Sequence, residues 1–421
     1  MSGHNRPAAS RAWRAEAAWR RRALVVLSIA LCSFASAPTA FGQGTATNAR
    51  FVLGPLQWAP TLQLREAGID SNIFNSDKDV KQDMTGSFVP AVDALLTLGI
   101  AQVATQGSAE YVYFERYKNQ RALNGRVNSR VTLPFSRVQP VALVSYARVK
   151  ERAGNEIDVR APRTEQGYGV NLTTRLTSRV ALTATIDRAS ITYDSGVTFR
   201  GTDLATQLNR RSTNLITGLR VAFSPLTSFV ANGGVGRDEF VLQRERNTDN
   251  FRGDVGVEFA PDAVIGGRAS IGYRKMQPQH DSGTPGGAVE SGGLTSAVDL
   301  SYTLLGRTRF NPRYSRDKNY SISTTQPYYV STGAGLEILQ TLFGPFGLAV
   351  RGARETLAYQ ATALAAARTD VADTLGGGFT IRLSTQGRIG LNYEDSKRRS
   401  DAGAEFGYGR RRIYTTVTYG F

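Results

Sequence analysis

From about Pro60 to the C-terminus, apolar and polar residues alternate with a period of two along most of the chain. In the segment 168–176, for example, Tyr168, Val170 and Leu172 alternate with small or polar residues. This period places successive side chains on opposite faces of a β-strand, whereas an amphipathic helix needs a period near 3.6. The same alternation recurs in segments 251–259, 294–304 and 389–393. The pattern predicts an all-β protein with strands of roughly 9 to 14 residues.

Two kinds of connection separate these strands. Short turns rich in Ser, Thr, Pro or Gly lie at 99–107, 134–137, 177–179, 224–227, 260–263, 305–306, 343–347 and 384–387. Longer polar loops lie at 68–82, 150–163, 194–208, 242–248, 275–290, 315–320, 360–369 and 396–408. Short turns at one end and long loops at the other are typical of a bacterial outer-membrane barrel. An opening strand at 59–66, the hairpins between and a closing strand at 409–421 predict about 18 strands, with both termini periplasmic.

Closure into a barrel follows from the membrane itself. Hydrocarbon offers no hydrogen-bond partner, so each unpaired backbone group costs several kcal/mol and a membrane-spanning sheet must lose its edges. A soluble β-sandwich or β-helix would also alternate, but its polar face would be the outer one. We therefore expect a transmembrane antiparallel up-and-down β-barrel in the bacterial outer membrane.

The N-terminus has the pattern of a secretory signal peptide. Six arginines precede an apolar stretch from Ala23 to about Ala35, and small residues follow it. A stretch of about 13 apolar residues is too short to span a bilayer. We expect a cleaved signal peptide at the head of the chain.

The small residues Ala40 and Gly42 favour cleavage before Gln43, with cleavage after Ala37 as the alternative. Removal of the signal would also remove Cys32, the single cysteine. The predicted organisation is a signal peptide at 1–42, a short periplasmic segment at 43–58 and the barrel at 59–421.

The last strand carries a further pattern. Its apolar positions are Ile413, Val417, Tyr419 and the terminal Phe421. This spacing resembles the C-terminal signature that outer-membrane proteins present to the barrel-assembly machinery, which we therefore expect as a partner. Counting back from the terminus directs the odd-numbered residues of this strand toward lipid.

The same count places Arg411 near the far interface of an apolar band about 25 Å tall. Lys397, Arg398 and Arg399 precede it in the adjacent predicted loop. Together these four residues could bind lipopolysaccharide phosphates in the outer membrane. A solvated cluster of loop charges is the alternative interpretation.

If the apolar residues face lipid, the opposite set faces the lumen. Ten arginines belong to that set: Arg126, Arg130, Arg175, Arg220, Arg252, Arg268, Arg307, Arg309, Arg313 and Arg388. Acidic residues share this face, so one interpretation is a wall braced by cross-strand ion pairs. The other is an electropositive lumen that favours anions, with Arg307, Arg309 and Arg313 as its sharpest patch. The Gly- and Pro-rich loop 275–290 is the candidate for narrowing the lumen.

The sequence does not indicate an enzyme. His280 and Ser282 are neighbours in a flexible loop, without the rigid orienting groups that a catalytic site needs. The sequence shows neither a metal-ligand cluster nor a phosphate-binding glycine loop, so we expect no cofactor. The formal net charge of +16 does not indicate nucleic acid, because export separates the protein from it.

The opening segment, Pro60-Thr-Leu-Gln-Leu-Arg-Glu-Ala-Gly-Ile-Asp-Ser-Asn-Ile-Phe74, resembles the start of the putative β-barrel porin 2 family, although Ser71 interrupts the family's Asp-Asn-Ile-Phe-like loop. The resemblance implies an outer-membrane porin-like channel. Some members occur with exopolysaccharide or capsule genes, which implies a conduit for an anionic polysaccharide working with a separate periplasmic export partner. The alternative is a non-conducting structural or adhesive barrel that acts through its extracellular loops.

Overall fold

A computed structural model describes residues 51–279 and 287–420. Its eighteen long strands are β1 (Leu56–Asp70), β2 (Asp83–Leu98), β3 (Ala101–Phe114), β4 (Ala122–Thr132), β5 (Val138–Glu151), β6 (Ala161–Arg175), β7 (Val180–Tyr193), β8 (Arg210–Ser224), β9 (Thr227–Phe240), β10 (Thr248–Phe259), β11 (Ile265–Pro278), β12 (Ser291–Leu304), β13 (Thr308–Tyr320), β14 (Tyr328–Thr341), β15 (Phe346–Tyr359), β16 (Arg368–Arg382), β17 (Gly387–Ser400) and β18 (Tyr408–Gly420). The predicted signal peptide, His280, Ser282 and Phe421 lie outside the described residues.

Each strand pairs antiparallel with the next one along the chain, and β1 pairs antiparallel with β18. The sheet is therefore closed, and its edges disappear as the membrane requires. This topology confirms the predicted all-β, up-and-down barrel and its strand number. The opening strand starts at Leu56, and a three-residue strand, Phe51–Leu53, folds back to pair with its first residues. Of the helices in the described ranges, none is long and apolar enough to cross a membrane.

The outer face is identified by large apolar side chains that are exposed at alternate positions, such as Leu182, Val255 and Leu375. Directly paired residues share a face, so the registers carry this assignment around the barrel. Aromatic side chains form two outward rows, as in other outer-membrane barrels. One row lies toward the end with the short turns and includes Trp58, Phe229, Phe346 and Tyr419, and the other includes Tyr111, Tyr168, Tyr273 and Tyr393.

The short turns lie at 99–100, 133–137, 176–179, 225–226, 260–264, 305–307, 342–345 and 383–386, all at one end of the barrel. The connections at the other end are 71–82, 115–121, 152–160, 194–209, 241–247, 279–290, 321–327, 360–367 and 401–407. The 115–121 loop was not predicted, and the loop predicted at 315–320 is wrong. Those polar residues continue β13 beyond the apolar band, where Asp317 and Asn319 still pair with β14.

A β-bulge at Glu66 reverses the alternation of β1. Glu66 has a φ of 52°, and the register shifts there on both neighbouring strands. Leu64 and Ile69 consequently both face outward although they differ in parity. Just beyond the bulge, a Cβ on Gly68 would lie 2.0 Å from the carbonyl oxygen of Ile413 on β18. The closing seam therefore needs glycine at this position.

Buried apolar residues lie inside the barrel, toward the end with the long loops. The largest cluster joins the ends of β6 and β7 to three loops: Ile157, Ala161, Tyr193, Leu204, Ala205, Leu208 and Ile322. Loop 194–209 contributes a short helix, α1 (Leu204–Leu208). Asp203 is its N-cap, and the Asp203 side chain accepts a hydrogen bond from the Thr206 amide. Burial of this cluster holds the loops inside the lumen.

Candidate functional site

The lumen is crossed by loop 152–160, which connects β5 to β6 and contacts β15 and β17 on the opposite wall. We call it the crossing loop. Asn155 Nδ2 donates a hydrogen bond to Glu355 on β15, and Arg398 Nη1 on β17 donates to Asp158 Oδ2 at 2.6 Å. The crossing loop is thus fixed at its far end by charged and polar contacts.

Glu156 is the most deeply buried acid of the crossing loop. Its carboxylate accepts hydrogen bonds from Ser321 Oγ (2.6 Å), from the Ile322 amide (3.2 Å) and from Tyr359 OH (3.2 Å). Burial raises the pKa of Glu156, although these three donors act in the opposite direction. The residue links the crossing loop to loop 321–327 and to the barrel wall.

Asp158 belongs to a chain of alternating charges. The Arg398 side chain is 1% exposed and also donates from Nη2 to Asp370 Oδ2 at 2.7 Å. Arg368 donates to the same Asp370 from Nε at 3.0 Å. Burial raises the pKa of Asp158, while the guanidinium of Arg398 lowers it. Each buried charge in this chain has an opposite charge beside it, as the low dielectric requires.

A second buried arginine ties two more loops together. Arg246 donates to the carbonyl of Gln207 (2.9 Å) and to the carbonyl of Ser321 (2.6 Å), and its guanidinium lies over the Phe240 ring. Burial lowers the pKa of Arg246 to about 10, so it is still a cation at neutral pH. Loops 194–209, 241–247 and 321–327 are therefore cross-linked within the lumen.

Beside the crossing loop, a cavity of about 450 Å³ lies against the inner wall formed by β1 to β5. We call it the side passage. Charged residues dominate its lining, with five arginines and four acids: Arg65, Arg126, Arg152, Arg160, Arg410, Glu66, Asp70, Glu110 and Glu151.

Three of the arginines are bonded to acids of the same cavity. Arg65 donates to Glu110 at 2.6 Å, Arg410 Nε donates to Asp70 at 2.9 Å, and Arg126 pairs with Glu151; the remaining acid, Glu66, pairs with Arg412 outside the lining.

Arg152 and Arg160 bind backbone carbonyls instead. Arg152 Nε donates to the carbonyl of Asp158 (2.8 Å), and Arg160 Nη2 donates to that of Lys150 (2.8 Å). Burial lowers the pKa of Arg152 to about 10, and the charge of Arg410 acts in the same direction. Both residues add positive charge to the side passage.

Comparison with known proteins identifies the family of the barrel. A family model described as putative beta-barrel porin 2 matches residues 57–421. The chain belongs to this family. Membership of this family places the barrel in the outer membrane and indicates a channel and not an enzyme. No curated protein matches the chain.

Solved porin structures share the fold at low identity. A BenF-like porin from Pseudomonas fluorescens Pf-5 superposes with a TM-score of 0.51 at 12% identity, covering 88% of this chain and 99% of that one. OccAB4 of Acinetobacter baumannii gives a TM-score of 0.49 at 10% identity, covering 87% of this chain and 98% of that one. At such identities the likeness concerns the fold alone.

Nine of the ten arginines predicted to line the lumen of this porin lie on its inward register. They are Arg126, Arg130, Arg175, Arg220, Arg252, Arg268, Arg309, Arg313 and Arg388. The tenth, Arg307, was wrongly assigned to a strand, because Leu305 and Gly306 have φ values of 50° and 66° and form a turn that ends at Arg307.

The contacts of the inward arginines support the bracing interpretation for part of the set. Arg220 pairs with Glu258, and Arg313 Nε lies 3.8 Å from Asp299, so part of the set braces the wall. The role of these arginines in conduction stays a prediction.

Loops other than the predicted one also enter the lumen of this porin, and narrowing by loop 275–290 stays a prediction. Residues 280–286 of the candidate loop lie outside the described residues. Loops 152–160, 194–209 and 321–327 lie inside the lumen, and each has apolar residues to bury, such as Ile157, Leu204 and Ile322. Isolated apolar residues within polar loops were the signal that could have identified them.

The predicted lipopolysaccharide contacts separate onto two faces. Lys397, Arg398 and Arg399 lie in β17 and not in a loop, so their side chains alternate. Lys397, Arg399 and Arg411 face outward, whereas Arg398 is buried inside between Asp158 and Asp370. Arg398 is therefore not a lipid contact. On β18, Ile413, Val417 and Tyr419 face outward as predicted, and Phe421 lies outside the described residues.

Proposed function

We propose that this porin conducts small anionic solutes through the side passage. The observation that carries the proposal is the surplus of arginine over carboxylate in its lining, to which Arg152 and Arg160 contribute most directly. A narrow, low-dielectric cleft focuses the field of such charges and raises the local concentration of anions. Selectivity would follow from this charge, as in other pores lined by arginine or lysine.

Export of an anionic exopolysaccharide is a more demanding version of the same function. A polymer needs an opening that admits several sugar units at once. The crossing loop is fixed to the far wall through Asp158 and Asn155, so it would have to be released first. Small solutes therefore fit the observed lumen better, and polymer export would require release of the crossing loop in addition to the predicted periplasmic partner.

The test is to record currents through the refolded protein in planar bilayers and to measure reversal potentials under a salt gradient. We expect an anion preference that falls in an Arg152→Gln, Arg160→Gln variant. Arg307→Gln serves as the control, because this residue lies in a turn away from the side passage. Unchanged selectivity in a folded variant would contradict the proposal, and a silent folded wild type would favour a structural or adhesive barrel.

A further inference from the structure

A basic patch lies on the outer face of β15 to β18. It consists of Arg354, Lys397, Arg399 and Arg411, together with the acids Asp373 and Asp395. We call it the outer basic patch. All six residues occupy the outward register, since Arg354 pairs with Asp373, Asp373 with Lys397 and Asp395 with Arg411.

The height of the outer basic patch follows from the order of residues along β17. Leu391 and Tyr393 are outward apolar and aromatic positions, and the next outward positions are Asp395, Lys397 and Arg399. This order runs toward the end with the long loops. Tyr393 belongs to the aromatic row that marks a membrane interface, so the charges begin where the apolar band ends. They lie at the level of the lipid headgroups in the outer leaflet.

The geometry leaves donors available for a ligand. Asp373 is shared by Arg354 and Arg399, each at 2.6 Å. Asp395 is 3.7 Å from Lys397 Nζ and 3.9 Å from Arg411 Nε, distances that are too long for hydrogen bonds. Lys397 and Arg411 therefore lie near Asp395 without donating a hydrogen bond to it.

The groove between these side chains has room for a headgroup. Its volume is about 670 Å³, and Gly352 and Leu375 are part of its lining. Arg354 and Lys397 line the groove together with the two acids. The outer basic patch as a whole has four cations and two carboxylates, which leaves a surplus of positive charge.

Three other outward cations on the same side are each paired with one acid. Arg148 pairs with Asp194 at 2.6 Å, Arg237 with Asp249 at 2.9 Å and Lys275 with Glu290 at 2.9 Å. Each of these pairs is close to neutral. The outer basic patch thus differs from them in its uncompensated charge and in its shared groove.

We propose that the outer basic patch binds the phosphate groups of the phosphorylated glycolipid of the outer leaflet, lipopolysaccharide. Arginine presents a planar fork of donors that matches phosphate, and a lysine nearby adds a mobile point charge. A lipid, unlike a free anion, brings its phosphates to the headgroup level where these side chains lie. The apolar surface beneath them would contact its acyl chains. The inference rests on the membrane location and is independent of conduction.

The experiment compares the refolded wild type with two matched triple variants in detergent. The patch variant is Lys397→Gln, Arg399→Gln, Arg411→Gln, and the control is Arg148→Gln, Arg237→Gln, Lys275→Gln. Each removes two arginines and one lysine from the outer face. Lipopolysaccharide retained per barrel is counted by native mass spectrometry during a titration. We expect binding to weaken at least tenfold in the patch variant and less than threefold in the control.

Two further arms identify the ligand and guard against misfolding. Dephosphorylated lipopolysaccharide should bind the wild type as weakly as intact lipopolysaccharide binds the patch variant, and inorganic phosphate should not compete at millimolar concentration. A Lys397→Gln, Arg411→Gln double variant leaves the Asp373 bridge intact and replaces the triple variant if that one does not refold. Equal loss in both triple variants, unaltered binding in the patch variant, or competition by inorganic phosphate would overturn the proposal.

Discussion

Neutralising Asp158 should release the crossing loop and raise the conductance of the channel. Asp158→Asn preserves the size of the side chain but removes the charge that Arg398 Nη1 contacts at 2.6 Å. Arg398 keeps its bond to Asp370 at 2.7 Å, so the substitution does not leave an isolated buried cation. The substitution should therefore destabilise docking of the crossing loop and not the barrel wall.

The magnitude follows from the kind of contact that is lost. A hydrogen bond to a charged group contributes about 1.5 to 3 kcal/mol, and the burial that raises the pKa of Asp158 places this one at the lower end. A change of this size shifts the ratio of docked to released loop roughly 10-fold. The Asn155 and Glu156 contacts are retained, so release should be transient.

Single-channel recordings in planar bilayers measure this shift directly. We expect brief openings of higher conductance that are at least tenfold more frequent in Asp158→Asn than in the wild type. Asp373→Asn is the matched control, because Asp373 also forms ion pairs with arginine side chains but on the outer face. Equal opening frequencies in wild type and Asp158→Asn, with both proteins folded, would refute the role assigned to this contact.

Two further predictions concern pH and barrel closure. Burial raises the pKa of Glu156 when the crossing loop is docked, so the docked state binds a proton at Glu156 more tightly than the released state does. Protonation therefore stabilises docking, and this stabilisation is lost as pH rises through the raised pKa. Openings should become rarer on acidification from neutral pH. Glu156→Gln should reduce this dependence in recordings made across pH, and Asp158, whose pKa burial also raises, accounts for the remainder. More frequent openings in acid would contradict the prediction. Gly68→Ala would place a Cβ 2.0 Å from the Ile413 carbonyl oxygen, so the seam between β1 and β18 must shift at a cost of about 1 to 3 kcal/mol. Thermal unfolding should show this loss of stability in Gly68→Ala. Gly233→Ala, with open space at its Cβ, should unfold like the wild type. Equal melting temperatures for Gly68→Ala and the wild type would disprove the close approach.

The strand pattern was predictable because each barrel strand has one face in lipid and the other toward the lumen. A period of two is then imposed on the sequence of every strand, as Val255 and Leu182 illustrate. The same rule gave the correct inward assignment of Arg252 and Arg220, whose neighbours alternate regularly. It failed where the backbone departs from regular pairing, as at the Leu305 turn that contains Arg307.

The crossing loop was not predictable in this way. Its position depends on contacts between residues far apart in sequence, such as Asp158 with Arg398 and Glu156 with Ser321. A single sequence does not show which distant residues meet. The Arg398 assignment failed for the related reason that a run of three basic residues looks like a loop, although in β17 it is split between two faces.

The sequence alone determined the barrel, its strand number and its membrane, since alternation and turn length are local properties that closure makes obligatory. The tertiary structure decided what occupies the lumen. Loops fold inward when their few apolar residues, such as Ile157 and Leu204, can be buried together and when buried charges such as Arg398 find partners. Those partners are brought together only by closure of the sheet, which places β5 and β6 opposite β15 to β17.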